Sequence, residues 1–266
     1  MKRLHLFEFE DLPWVPAAIR DGGTDLLDMG FDRVGFYLPL VADLLDVLDA
    51  TGLRTIVDLG SGGGGGALSM HSLLRERGRG DVRLTLTDRY PNAAALARVQ
   101  RLGDPALAYH PQPVDAFAVP AELVGLRTMY GALHHFRPDA VRRLLSSAVA
   151  DRAPIALFDV AASPMIRRAP LALAPLLAAP NMAALWLVTL LATPFVRPFR
   201  WSRLLLTYGV PAIPALFAWD GTVSALRAYT PDELLEIARS VPGSEAYVWR
   251  AGRAGNALSL VGYPKG

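Results

Sequence analysis

Three carboxylates and a pair of histidines are the residues of this chain best suited to chemistry. Asp58 closes the β-branched run Thr55-Ile56-Val57 and is followed, after Leu59, by Gly60, Ser61 and the five consecutive glycines 62–66. Glycine has no Cβ, so such a loop can turn sharply and lie against a ligand. A buried strand feeding a glycine loop and then a helix N-terminus opens nucleotide-type cofactor sites in open α/β sheets. Gly60-x-Gly62-x-x-Gly65 formally fits the dinucleotide fingerprint, but within a glycine run that match is nearly automatic. Asp58 discriminates better. An acid two residues before the first glycine adds negative charge beside a pyrophosphate, and suits a ligand with a cationic amino-acid moiety.

Further acids follow in order. Val82–Thr87 alternates as a second strand and ends at Asp88, placed to accept ribose hydroxyls. Asp115 lies in Pro113-Val114-Asp115-Ala116-Phe117, and Leu126–Tyr130 leads into Gly131-Ala132-Leu133-His134-His135-Phe136. The segment Asp58-x-Gly60-x-Gly62-x-Gly64, with these later motifs, resembles the class I S-adenosylmethionine (SAM)-dependent methyltransferases of small-molecule type. The resemblance covers roughly residues 55–160, and the Leu-His-His core is similar to the strand-four signature of that superfamily. The segments Trp14–Asp25 and Trp219–Tyr229 look like parts of one bacterial subgroup within it.

The resemblance implies SAM as cofactor, S-adenosylhomocysteine as product and no metal. It implies a cofactor site lined by Asp58, Gly60, Ser61, Gly62, Asp88, Arg89, Asp115, Ala116 and Tyr130, with Asp115 taking the adenine amino group. The sulfonium already activates the methyl group, so alignment is the main task, and a base is needed only where the acceptor must lose a proton. His135 is the first choice of base and His134 the second, just past the fourth strand; their adjacency should point them in different directions, against a shared metal. Asp220 is a further base candidate and Arg227 an anchor for an acidic acceptor. Trp14, Tyr37, Trp219 and Tyr229 are read as aromatic cover over the acceptor. The expected reaction is methyl transfer to an oxygen, phenol or carboxylate, of a hydrophobic small molecule or secondary metabolite. C- or N-methylation, a membrane-lipid or quinone-type acceptor, and SAM binding without transfer are the alternatives.

Composition narrows the classes. The chain has 266 residues, no cysteine and a formal net charge of +2. Without a thiol, disulfides are excluded, as is methyl transfer through a cysteine nucleophile; a cytoplasmic setting is expected. Interspersed signs give no footprint for nucleic acid.

The elements that must position these residues alternate. Helix and strand signals run over 36–50, 54–59, 66–78, 82–87, 91–102, 106–110, 124–130, 138–150 and 153–160, with Pro91 read as the opening of its helix. Thr230-Pro231-Asp232-Glu233 restarts a helix over 231–240, and 245–250 with 257–263 close the sheet as an antiparallel pair. The expectation is an α/β, Rossmann-like, seven-stranded methyltransferase sheet. It carries an N-terminal cap (1–34) of two short helical pieces, a SAM-binding core (35–160), an apolar helical insertion after strand five (161–228) and a C-terminal part of the core (229–266). Within the insertion, Leu171–Val196 has no charge, and Pro175, Pro180 and Pro194 are expected to leave only about a dozen unbroken helical residues, short of the ~20 needed to cross a bilayer. The segment is read as a lid packed on the core, a lining for a greasy acceptor, or an interfacial helix whose arginines meet anionic headgroups in peripheral membrane contact.

Overall fold

In the computed structural model, which describes residues 3–197 and 199–265, the alternation resolves into helices and one mixed sheet. The helices are α1 (Ala17–Val34), α2 (Val41–Thr51), α3 (Gly65–Glu76), α4 (Ala93–Leu102), α5 (Pro138–Ala150), α6 (Pro164–Arg168), α7 (Ala174–Ala192), α8 (Trp201–Leu204), α9 (Ala212–Arg227) and α10 (Pro231–Arg239). The strands are β1 (Thr55–Leu59), β2 (Arg83–Thr87), β3 (Leu107–Tyr109), β4 (Leu126–Tyr130), β5 (Ile155–Val160), β6 (Tyr247–Ala254) and β7 (Ala257–Pro264). Two units result: Gly35–Ala161 with Tyr229–Gly266, and the stretch up to Val34 with Ala162–Ala228.

The first unit holds all seven strands, in the order β3-β2-β1-β4-β5-β7-β6. β1 to β5 pair in parallel and β7 runs antiparallel between β5 and β6. Ile56, Leu84, Leu126, Ile155 and Leu157 are all 2% exposed or less, as strands covered on both faces require. The strand order reverses between β1 and β4, so their carboxyl ends form the crevice where ligands of such sheets bind. Helix starts follow local chemistry. The Asn92 side chain accepts from the backbone N–H groups of Ala94 (2.9 Å) and Ala95 (3.0 Å), so it caps α4, and Pro91 lies outside the helix it was expected to open. Thr230 and Glu233 form the anticipated capping box at α10. Phe36 and Tyr37 precede their helix, because Pro39 sits in a separate 3₁₀ turn, Leu38–Leu40, ahead of α2.

The second unit is built from two stretches that the sequence reading set apart. Its N-terminal part is one 18-residue helix, α1, instead of two short pieces. α7 passes through Pro180 and, with the 3₁₀ turns on either side, makes a 25-residue helical path from Leu171 to Phe195. The expected break at Pro180 is absent: the alanine- and leucine-rich flanks favour helix strongly enough to tolerate one missing N–H. α9 packs against both α7 and α1. The Arg203 guanidinium, 2% exposed, pairs with Asp25 of α1 and donates to Val196 O (3.2 Å). Arg227, equally buried, donates to Leu6 O (2.8 Å) and pairs with Glu8 and Asp11, each at 3.2 Å. Both guanidinium groups are paired with carboxylates within the unit, which is what allows the charges to be buried. Replacing Asp25 by Ala would leave the Arg203 charge short of its partner, and a loss of about 3 kcal/mol is expected in urea unfolding of the full chain.

Candidate cofactor and active site

The crevice of the sheet unit is organised by Asp58, which is 1% exposed at the end of β1. Its Oδ2 accepts from the Ser61 hydroxyl (2.6 Å) and its Oδ1 from the hydroxyl of Thr128 (2.8 Å), the residue paired with it on β4. Burial pushes the carboxyl up to about 7 against the pull of those two hydroxyls, and the nearby charge of Asp88 adds to the rise. Ser61 also stitches β1 to β2, through its N–H to Thr87 O (2.9 Å) and its Oγ accepting from Thr87 N (3.1 Å).

The glycine loop keeps a shape that other residues would resist. Gly60 and Gly62 have φ of +66° and +50°, and a Cβ built on either meets nothing within 4 Å, so open space flanks the backbone there. Asp88, at the tip of β2, accepts from Gly62 N (2.8 Å) through Oδ2 and from Tyr90 N (2.8 Å) through Oδ1. Tyr109 donates its hydroxyl to Gly62 O (3.2 Å) and accepts from Asn92 N (3.0 Å), tying the loop to the start of α4. Gly66 marks a close approach: a Cβ there would fall 2.7 Å from Tyr130 Cβ and 3.0 Å from the Tyr37 hydroxyl. Tyr130 is held edge-on by Tyr37 (5.4 Å) and stacked on Phe158 (5.1 Å), and desolvation pushes its phenol well above the ordinary range, with Asp58 adding to the rise.

Asp115 accepts from Phe117 N (2.9 Å), an Asx turn that places it and the half-buried Ala116 after β3. Arg89 is exposed, with its guanidinium 6.0 Å from the Tyr90 ring centroid.

The histidines separate in role. Leu133–His135 form a 3₁₀ turn after β4, and the two imidazole rings lie side by side, centroids 4.3 Å apart and tilted by 35°. The expectation that adjacency sends them in different directions is corrected: the tight turn brings both rings to the same side. His134 is buried and anchored to Asp159, at the end of β5. Its N–H donates to Oδ2 (2.6 Å) and its Nδ1 lies 2.8 Å from Oδ1. Burial alone would raise Asp159, but the His134 imidazole and the hydrogen bonds hold it below the usual carboxylate range. An ionised Asp159 at that distance accepts from the imidazole N–H at Nδ1 and fixes the orientation of the ring.

Neither the family models nor the curated proteins hold a match to this chain. Solved structures do. The plantazolicin methyltransferase BpumL, in complex with S-adenosylhomocysteine, aligns over 95% of this chain and 92% of its own, with a TM-score of 0.57 and 10% identity. Human N-acetylserotonin methyltransferase, in complex with SAM, aligns over 94% of this chain with a TM-score of 0.51 and 14% identity. This chain spans 58% of the human enzyme's length. The fold is that of the class I methyltransferases.

Within that fold, Asp58, Gly60, Ser61, Gly62, Asp88 and Tyr130 are gathered around the carboxyl ends of β1, β2 and β4. The acceptor-side expectations fare differently. Tyr229 is 1% exposed and donates to Phe136 O (2.8 Å), so its ring is a core member of the sheet unit. Asp220 accepts from the backbone N–H groups of Phe9 (2.7 Å) and Glu10 (3.0 Å). With Arg227, it holds the N-terminal segment onto α9. Trp219 donates to Phe7 O (3.0 Å) in an aromatic cluster with Phe7 and Phe9, and Trp14 stands 68% exposed at the edge of the Phe9 ring. Thr128, Tyr109 and Asp159 were missed from sequence. Only Asp159 left a signal there, as an acid within the apolar run of β5.

Asp58 carries a stability consequence. Between pH 4 and 7 the unfolded chain releases a proton that the folded carboxyl retains, so stability falls as pH rises through that window and levels off above it. Asp58→Asn should therefore raise the stability of the ligand-free protein at pH 8 by ~2–4 kcal/mol and leave it nearly unchanged at pH 4, read by thermal unfolding at the two pH values.

Proposed function

We propose that this protein is a SAM-dependent methyltransferase that methylates a hydroxyl oxygen, of phenolic type, on a hydrophobic small molecule. The carrying observation is a buried Asp58 whose carboxyl is raised to about 7 beside the open glycine backbone. Such a group gains most from a cation, and a pyrophosphate would face both Asp58 and Asp88. The residues thus fit SAM better than a dinucleotide. Bound SAM supplies an electrophilic methyl group on a sulfonium.

The chain's own residues divide the remaining work. Asp58 balances the ammonium of the amino-acid moiety, and the backbone at Gly60 and Gly62 admits the ligand closely. Asp88 accepts from the ribose hydroxyls with lone pairs left over from its two backbone bonds, and Asp115 with Ala116 borders the adenine. Tyr37 and Tyr130 close the floor above Gly66 and keep water from the reacting end. His134 takes the acceptor proton at Nε2, while Asp159 holds the ring in that tautomer and balances the imidazolium that forms. His135 is demoted from first choice to a neighbour of the base. A phenol needs such a base and a carboxylate does not, so the His134–Asp159 pair favours the phenol. BpumL and the human enzyme are methyltransferases by name, which supports the reading through fold alone.

Calorimetry with SAM and release of S-adenosylhomocysteine in the presence of phenolic extracts and labelled SAM test the reading directly. Asp88→Ala should weaken SAM at least tenfold with the circular dichroism spectrum unchanged. His134→Ala should lower turnover by about 10²–10⁴ with SAM affinity intact, whereas His135→Ala should retain most activity; equal losses would refute the assignment. SAM affinity of the native protein should rise with pH through about 7, because ionising Asp58 favours the cation.

A further inference from the structure

The helix α7 is turned inside out relative to a helix of a water-soluble protein. Its few polar side chains point into their own unit. Asn181 donates to the Thr222 hydroxyl of α9 (2.9 Å), Thr189 is fully buried, and Thr193 is 3% exposed at 3.3 Å from the Thr207 hydroxyl. Three of its six leucines face outward, while Leu177, Leu185 and Leu190 are half-buried. Leu176, Leu187 and Leu191 are 69%, 56% and 64% exposed, and only 6% of the most apolar stretch of the 25-residue path is buried. A soluble monomer rarely leaves so large an apolar face in water. The face continues through Phe195, Trp201 and Leu205, which are 60%, 77% and 63% exposed and lie on the segment that leaves α7.

The stretch of sequence that forms this face carries charge of one sign. From Val160 to Trp219 the sequence carries the five arginines 167, 168, 197, 200 and 203 and no aspartate or glutamate. Arg168 and Arg197 stand exposed at either end of the apolar path. Arg200 and Arg203 are matched by Asp21 and Asp25 of α1, which packs against both α8 and α9, whereas Arg168 and Arg197 hold the rim of the apolar path. The apolar path of α7 is therefore flanked by cations, and the charged side of the unit is carried by α1, which meets the α8 segment through Asp21 and Asp25. Aromatic rings at the end of an apolar stretch and basic residues at its rim match the headgroup layer of a bilayer, and polar groups turned toward neighbouring helices match its interior.

We propose that this face docks into one leaflet of an anionic lipid bilayer, with α7 and the Trp201–Leu205 turn in the acyl boundary and Arg168 and Arg197 at the headgroups. The charged side, carried by α1, stays in water, so the unit dips into the membrane without crossing it. The inference stands on α7 and its flanks alone and is independent of the methyl-transfer reading.

The test is flotation of the full chain with vesicles of phosphatidylcholine, alone or with a third phosphatidylglycerol. The native protein should float with the anionic vesicles and at least fivefold less with the neutral ones. Leu187→Glu combined with Leu191→Glu should abolish flotation, and Arg168→Glu with Arg197→Glu should remove the preference for anionic lipid. Because the two leucines are exposed, both variants should keep native circular dichroism. As a readout on the unaltered face, brominated acyl chains should quench tryptophan fluorescence, and Trp201→Phe should lower the quenched fraction. Native protein that stays at the bottom of the gradient with both vesicles would overturn the proposal. So would light scattering that shows a lipid-free dimer dissociated by the same leucine variant, which would assign the face to a second copy of this chain.

Discussion

A carboxylate buried where the sheet reverses its order is the constraint around which the sheet unit is arranged. Asp58 sits between two hydroxyl donors, one from the glycine loop and one from the neighbouring strand, so its position reports the register of β1 against β4. A buried acid with neutral partners alone is held at the edge of ionisation, and folding bears the desolvation penalty of its charged form. The same residue ties the loop geometry down through Ser61, which in turn bonds to Thr87 on β2.

A second buried carboxylate, Asp159, repeats the logic with the opposite outcome. Its partner is an imidazole and two backbone N–H groups, so its charge is kept and the carboxyl is lowered. Two acids on parallel strands of one sheet thus differ in protonation because one is matched by hydroxyls and the other by a group that can accept positive charge. The pair makes the crevice polar at both ends, with the aromatic floor of Tyr37, Tyr130 and Phe158 between them.

The parallel sheet was legible in the sequence because apolar, β-branched runs alternate with amphipathic helices at short spacing, and β1, β2, β4 and β5 each end at or beside an acid or a glycine. Asp58, Asp88 and the glycine loop were legible for the same reason, since local spacing places them. Thr128 was not, because its role comes from cross-strand pairing that no local pattern records, and Asp159 showed only as an acid in an apolar strand, its partner His134 lying 25 residues away in the sequence. The partners of Asp220, Arg227 and Tyr229 were hidden from the sequence for a related cause. An isolated charge or aromatic in an apolar run reads as exposed function, whereas the N-terminal segment and the core supply their partners. Pro180 was read as a break on propensity, and the surrounding helix formers prevailed.

The sheet order has an outcome for synthesis on the ribosome. β7 is the last strand to emerge, yet it lies between β5 and β6 and bonds to both. Until residues 257–264 leave the exit tunnel, β5 remains an open edge with its backbone groups unpaired, and the apolar second unit has already been made. A nascent chain in that state offers a strand edge and a greasy helix at once, the combination that recruits chaperones and drives misassembly. The order of manufacture therefore leaves the seal on the sheet to its last strand.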